Sequence, residues 1–109
     1  MSDYEVHVGD IGTIVKVTIQ EEGVAINLTD ATTMKIKFQR KDKTTFEMDA
    51  LIWEDDPEQG IIYCLSVEDT FDLKGEWTIQ GYVIFPTGEW HTAKETFTVE
   101  DNITVEEEV

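Results

Sequence analysis

Few of the 109 residues are of types that do covalent or metal chemistry. The histidines are His7 and His91, near opposite ends of the chain. Neither sits in a spacing such as His-x-Glu-x-x-His, and a single cysteine rules out Cys-x-x-Cys, so no metal set is written here. A two-histidine site would need both ends of the chain to meet. The serines, Ser2 and Ser66, lie outside any Gly-x-Ser-x-Gly elbow. The seven glycines are scattered and form no phosphate-binding loop. Cys64 falls inside Ile61-Ile62-Tyr63-Cys64-Leu65 and reads as a small buried hydrophobe, because a nucleophilic thiolate wants a basic neighbour. The densest carboxylate cluster, Glu54, Asp55, Asp56 and Glu58, lacks the Asp-x-Asp-x-Asp-Gly spacing that gathers oxygens around calcium. The reading is therefore a non-enzyme with no catalytic residue, no metal and no cofactor.

What remains is chemistry of contact. Trp53, Tyr82 and Trp90 are the aromatics placed to meet a partner or a sugar ring, since exposed aromatics anchor interfaces and stack on glycans. Hairpin or core packing is the competing role for Trp53 and Trp90, and Trp77, at the start of a strand, is expected inside. Lys35, Lys37, Arg40, Lys41 and Lys43 hold five of the eight basic residues. They read as internal charge balance or as a contact for an acidic partner. Against them stand 24 acidic residues, for a net charge of −16. That excess argues against nucleic acid and anionic membrane as partners, because phosphates are held by clustered Lys and Arg. The chain has the length of one domain, 1–109, with a core over about 9–100 and an acidic tail over about 101–109. Its start, Met1-Ser-Asp-Tyr-Glu, lacks a secretory apolar run, so synthesis in the cytoplasm is the default.

Strands must position these side chains. Apolar residues recur at a spacing of two nearly everywhere, and no helix longer than a turn or two is expected. The organising stretch is Gly75–Val99, a long β-rich run to Phe85, the turn Pro86-Thr87-Gly88, and a second run ending Phe97-Thr98-Val99. It reads as a hairpin and the spine of the fold. Gly81, inside its first arm, marks a bulge or a close backbone approach. Around it, Val15, Val17 and Ile19 share a face, as do Met34, Ile36 and Phe38. Further on, Phe46, Met48, Ala50 and Ile52 are in phase, and so are Ile61, Tyr63, Leu65 and Val67. A short edge strand is expected within 1–10, around Tyr4, Val6 and Val8. Asp42-Lys43 reads as a hairpin tip, Glu54–Gly60 as a loop, and Phe71 and Leu73 as plugs under a connection. Seven or eight short strands with frequent turns make an all-β sandwich or barrel.

The succession of pieces resembles the N-terminal immunoglobulin-like domain of phage baseplate upper proteins and related tail-associated modules. The pieces are Gly9-Asp10, the strand around Val15-Lys16-Val17, Val24–Ala31, Met34–Phe38, Gly60-Ile61-Ile62-Tyr63, and the closing Gly75–Val99 with Phe97-Thr98-Val99. The resemblance spans about residues 9–99 and rests on turn and core positions. It implies an immunoglobulin-like antiparallel β-sandwich. It further implies a non-catalytic structural module of a phage or prophage tail, made in the host cytoplasm and carried in the virion. Such a module would dock fibre or receptor-binding components, with other virion proteins as partners and self-assembly into a ring or trimer. A carbohydrate-binding or adhesion module using the exposed aromatics is the alternative.

Overall fold

The structure, a computed structural model, describes residues 6–92 and 94–102. Tyr4 and the Glu106-Glu107-Glu108 end of the expected acidic tail lie outside the described residues. The strands are β1 (Val6–His7), β2 (Ile14–Thr18), β3 (Gln20–Glu21), β4 (Val24–Ala25), β5 (Thr33–Gln39) and β6 (Thr45–Asp49). They continue with β7 (Leu51–Ile52), β8 (Ile61–Leu65), β9 (Gly75–Phe85), β10 (Gly88–His91) and β11 (Glu95–Glu100). Two single-turn 3-10 helices, Trp53–Asp55 and Pro57–Gln59, are the only helical segments among the described residues. The chain is all-β and folds as a β-sandwich.

One sheet runs β1-β11-β9-β5-β6, with β10 also on β9, and a second runs β2-β8-β7. The pair β3-β4 stands apart as a small hairpin. All pairings are antiparallel except β1 with β11, where Val6 aligns with Val99. The inner faces close on one core. Val15, Val17, Ile62 and Cys64 come from the three-stranded sheet, and Ile36, Phe38, Trp77, Ile79, Val83, Phe97 and Val99 from the larger one. Trp77 is fully buried, its indole N–H donating to the Leu73 carbonyl at 2.8 Å, among Phe38, Phe46, Phe71 and Phe97. Edge-to-face contacts, such as those with Phe38, Phe46 and Phe71, add to the area term of aromatic burial.

The expected Gly75–Val99 hairpin is present, with its second arm divided. β10 pairs Trp90 with Val83 and His91 with Tyr82, and β11 then pairs Glu95 with Ile79 and Phe97 with Trp77. Between the two the register moves by one residue, the mark of a bulge. Gly81 lies opposite this shift. Its N–H donates to Thr92 Oγ1 at 2.8 Å and its carbonyl accepts from Thr92 N–H at 3.0 Å. A Cβ on Gly81 would stand 2.6 Å from Val17 Cγ2, so the two sheets also approach closely here.

Two sequence expectations change in detail. Phe46, Met48, Ala50 and Ile52 do share the core side, but the chain changes sheets at Ala50, leaving β6 in one and β7 in the other. Along β8 the inward row is Ile62 and Cys64, followed by Ser66, while Leu65 and Val67 face out. Ser66 is 2% exposed because its hydroxyl is used twice, donating to the Asp10 carbonyl and accepting from Thr13 N–H, both at 2.9 Å. A polar group so satisfied can sit inside at little cost.

Candidate functional site

The three aromatics singled out from the sequence occupy three different surfaces. Tyr82 stands on the outer face of the larger sheet, with Lys35 of β5 and His91 of β10 as cross-strand neighbours. Its ring lies 4.6 Å from that of His91, tilted by 32°, and Lys37 Nζ sits 4.5 Å above it. The phenol donates to Glu89 Oε1 at 2.9 Å, and this hydrogen bond, with some burial, pushes its pKa above the ordinary tyrosine value. Lys37 Nζ is also 3.3 Å from His91 Nε2. Next to this cluster Lys35 meets Glu47 at 3.6 Å and Asp49 at 3.5 Å. An open groove of about 460 Å³ continues along the same face, between Lys37, Glu47 and Lys94 over a floor that includes Gln39, Thr45 and Thr78.

Trp90 is directly opposite Val83, which places it on the inner side of the same sheet. It is half-buried at the end of the core, edge-on to Phe85 at 5.2 Å and folded back over Gly88. Trp53 belongs to the other sheet's side. It opens the first 3-10 turn, meets Tyr63 edge-on at 5.2 Å and carries Lys16 Nζ 4.4 Å above its ring. Tyr82 and Trp90 thus point to opposite sides of one sheet, and Trp53 belongs to a third surface.

The basic cluster divides as well. Arg40 makes a two-pronged pair with Asp72, Nε to Oδ1 at 2.7 Å and Nη2 to Oδ2 at 3.2 Å, with its guanidinium 4.5 Å from the Phe46 ring. Lys35 and Arg40 therefore serve internal balance. Lys37 and Lys94, on the walls of the groove, have no carboxylate within ion-pair distance among the described residues.

Cys64 is buried, and burial pushes its thiol up to about 11, away from a reactive thiolate. Among the described residues no three His, Cys, Asp or Glu side chains gather as a metal set. The acidic loop Glu54–Glu58 uses Asp56 instead as a cap, accepting from Glu58 N–H at 3.2 Å and from Gln59 Nε2 at 3.0 Å.

One surface escaped the sequence reading. On the outer face of the three-stranded sheet Ile14 pairs with Leu65, and Tyr63 pairs with both Lys16 and Leu51. Ile14, Leu51 and Leu65 are all exposed there, Leu51 to 62%. Gly12 N–H to the Ser66 carbonyl and Ser66 N–H to the Thr13 carbonyl keep the two flanking segments together past the strand ends. The missed signal is that Ile61–Leu65 is apolar in both phases, as a strand covered on both sides would be.

Comparison with known proteins places the whole chain. A family model described as the BppU N-terminal domain, that of the phage baseplate upper protein, matches residues 2–109. No curated protein and no solved structure matches the chain.

Proposed function

The chain belongs to the family of BppU N-terminal domains, which carries a phage structural role, and from that premise we propose that it is a non-catalytic module of a phage or prophage tail. Its work is to dock fibre or receptor-binding components onto neighbouring virion proteins. The observation that carries this reading is the family match, which covers all but the first residue. Docking needs only a rigid scaffold with accessible faces, and repetition of the module around a ring or trimer would supply avidity.

The fold is of the immunoglobulin-like kind. In favour of this, β2, β8 and β7 take the places of strands B, E and D, and β5, β6, β9 and β10–β11 those of C, C′, F and G. Antibody domains pin strands B and F with a disulfide between the sheets. Here the corresponding approach is Val17 of β2 against Gly81 of β9, a contact that needs no oxidation.

Tyr82, with Lys37, His91 and the adjoining groove, is the contact surface for a heterologous partner. Trp53 and Trp90 contribute mainly by packing on Tyr63 and Phe85. The test is direct. Tails purified from particles encoding this chain should contain it in fixed ratio to other tail proteins, and its deletion should give tails lacking fibres. Recovery of the chain only in the soluble lysate, with tails complete, would overturn the reading.

A further inference from the structure

We infer that β6 is an open edge that takes on one further strand from a partner protein, a segment in which basic and apolar residues alternate. β6 ends the larger sheet, and β1 at the other end has only two residues. The hydrogen bonds of β6 show which way each residue turns. Arg40 N–H donates to the Thr44 carbonyl at 2.8 Å, and Ala50 N–H donates to the Met34 carbonyl at 2.9 Å. Bonded and non-bonded pairs alternate along an antiparallel ladder, so this register turns the main-chain groups of Thr44, Phe46, Met48 and Ala50 toward β5. Thr45, Glu47 and Asp49 turn theirs outward, and nothing among the described residues takes them up. Three N–H and three C=O groups, two residues apart, are a template for another strand.

The side chains decide which strand fits. On the outer face Glu47 and Asp49 share one ammonium, that of Lys35, at 3.6 and 3.5 Å, and the Asp49 side chain is 90% exposed. On the inner face Phe46 and Met48 are half-buried, so each keeps part of its surface uncovered. A strand laid antiparallel on this edge puts its residues opposite Glu47 and Asp49 on the outer face, and those opposite Phe46 and Met48 beside the core. Lysine or arginine fits the first set and an aliphatic residue the second. A second copy of this chain does not fit. Pairing β6 with itself about Glu47 sets Glu47 against Glu47, and pairing it about Met48 sets Glu47 against Asp49 twice. Like charges directly opposite destabilise a sheet. The carboxylates thus bar the copy, as edge charges do in other sheets, and admit a basic strand.

Glu47 also lines the groove next to the Tyr82 cluster, so the added strand widens the contact surface assigned above to a heterologous partner. The inference rests on that docking reading and names the chemistry of the segment docked, by main-chain pairing for affinity and alternate side chains for specificity. Its test uses the isolated chain and synthetic peptides. Failure there would leave the tail assignment standing on the composition of purified tails, and a chain missing from tails would leave the peptide result standing.

The probe is an eight-residue peptide alternating lysine and valine, read by amide hydrogen exchange at about 0.15 M salt, where attraction to the bulk charge is screened beyond about 8 Å. With the peptide at about 1 mM, exchange at Thr45, Glu47 and Asp49 should slow about threefold, as a Kd near 0.5 mM gives. A peptide of four valines followed by four lysines carries the same charge and should have no such effect. In an antiparallel addition the lysine N–H groups meet β6, so methylating those nitrogens should abolish the slowing, and methylating the valine nitrogens should not. Thr45→Pro removes one outward N–H at a strand end, where proline is tolerated. Glu47→Gln with Asp49→Asn removes the charge. Each variant should weaken binding by at least about threefold, with circular dichroism melts showing that the fold is kept. Equal slowing by the block peptide would mean general attraction to an acidic body and would overturn the proposal. No slowing at about 5 mM peptide, or slowing that survives methylation of the lysine nitrogens, would overturn it as well.

Discussion

At the scale of single residues, Gly81 shows how far a sequence can speak. A glycine inside a strand signals a bulge or a close approach, and both are found, the register shift beside Thr92 and the contact with Val17. What no sequence could supply is the identity of the neighbours, because Val17 is 64 positions away and comes from the other sheet. The contest at this site can be decided by magnitude. Replacing a strand glycine by alanine ordinarily gains about 0.5–1 kcal/mol through reduced backbone freedom. Here the new methyl would stand 2.6 Å from Val17 Cγ2 and 3.0 Å from Thr92 Cγ2. Val17 is β-branched and has little rotamer freedom to yield, and overpacking of this sort costs about 1–3 kcal/mol. Gly81→Ala should therefore lower stability by about 1–2 kcal/mol in urea unfolding. Adding Val17→Ala, which opens the space, should make the pair less than additive by about 1 kcal/mol. A neutral Gly81→Ala, or strictly additive losses, would show that the sheets are free to move apart. The aromatics mark the opposite limit. Their exposure could be guessed from phase, but that Tyr82 and Trp90 face opposite ways depends on the β9–β10 register, which pairs one with His91 and the other with Val83.

At the scale of elements, alternation located the strands and could not assign them to sheets. Phe46, Met48, Ala50 and Ile52 stay in phase while the chain passes from one sheet to the other, since both inner faces look onto the same core. Period two reports which side is buried and is blind to which sheet does the burying. β8 fails for another reason, being apolar on both sides, so either register satisfies the hydrophobic pattern. The join between the β5–β6 hairpin and the connection before β9 is a further element-level device. Arg40 reaches from the hairpin to Asp72, lies on Phe46 and donates from Nη1 to Thr44 Oγ1 at 3.2 Å. Half-exposed ion pairs are ordinarily worth less than about 1 kcal/mol. A planar, two-pronged and ring-stacked guanidinium is held better than that, and an ammonium cannot copy it. Arg40→Lys is expected to cost about 1 kcal/mol in denaturant unfolding, and Asp72→Asn a similar amount, with the double variant no worse than either alone. If lysine restores full stability, a point charge is enough and the stacking contributes nothing.

At the scale of the whole molecule the sequence already held two main facts, the all-β class and the large acidic excess. Family membership rested on turn and core positions, and the match over residues 2–109 supplies it. Net charge then sets how the fold answers to salt. Four close ion pairs are formed among the described residues, two of them on Lys35, and all are at least partly exposed. Such pairs weaken as salt rises, each by a fraction of about 1 kcal/mol. Acting against them is the repulsion among 24 carboxylates balanced by only 8 cations, spread over a molecule whose dimensions exceed the screening distance at high salt. Between 0.01 M and 1 M salt the Debye length shrinks from about 30 Å to about 3 Å, which removes most of that repulsion and leaves the contact pairs partly intact. Repulsion has the larger reach and the larger number of partners, so stability should rise with NaCl by about 1 kcal/mol or more. The measurement is made at low protein concentration, where self-association cannot add its own salt dependence through mass action. A melting temperature that falls as salt is added would mean that the few ion pairs outweigh the net charge. The acidic excess would then have to be offset locally by lysines such as Lys37 and Lys94 rather than borne as repulsion across the molecule.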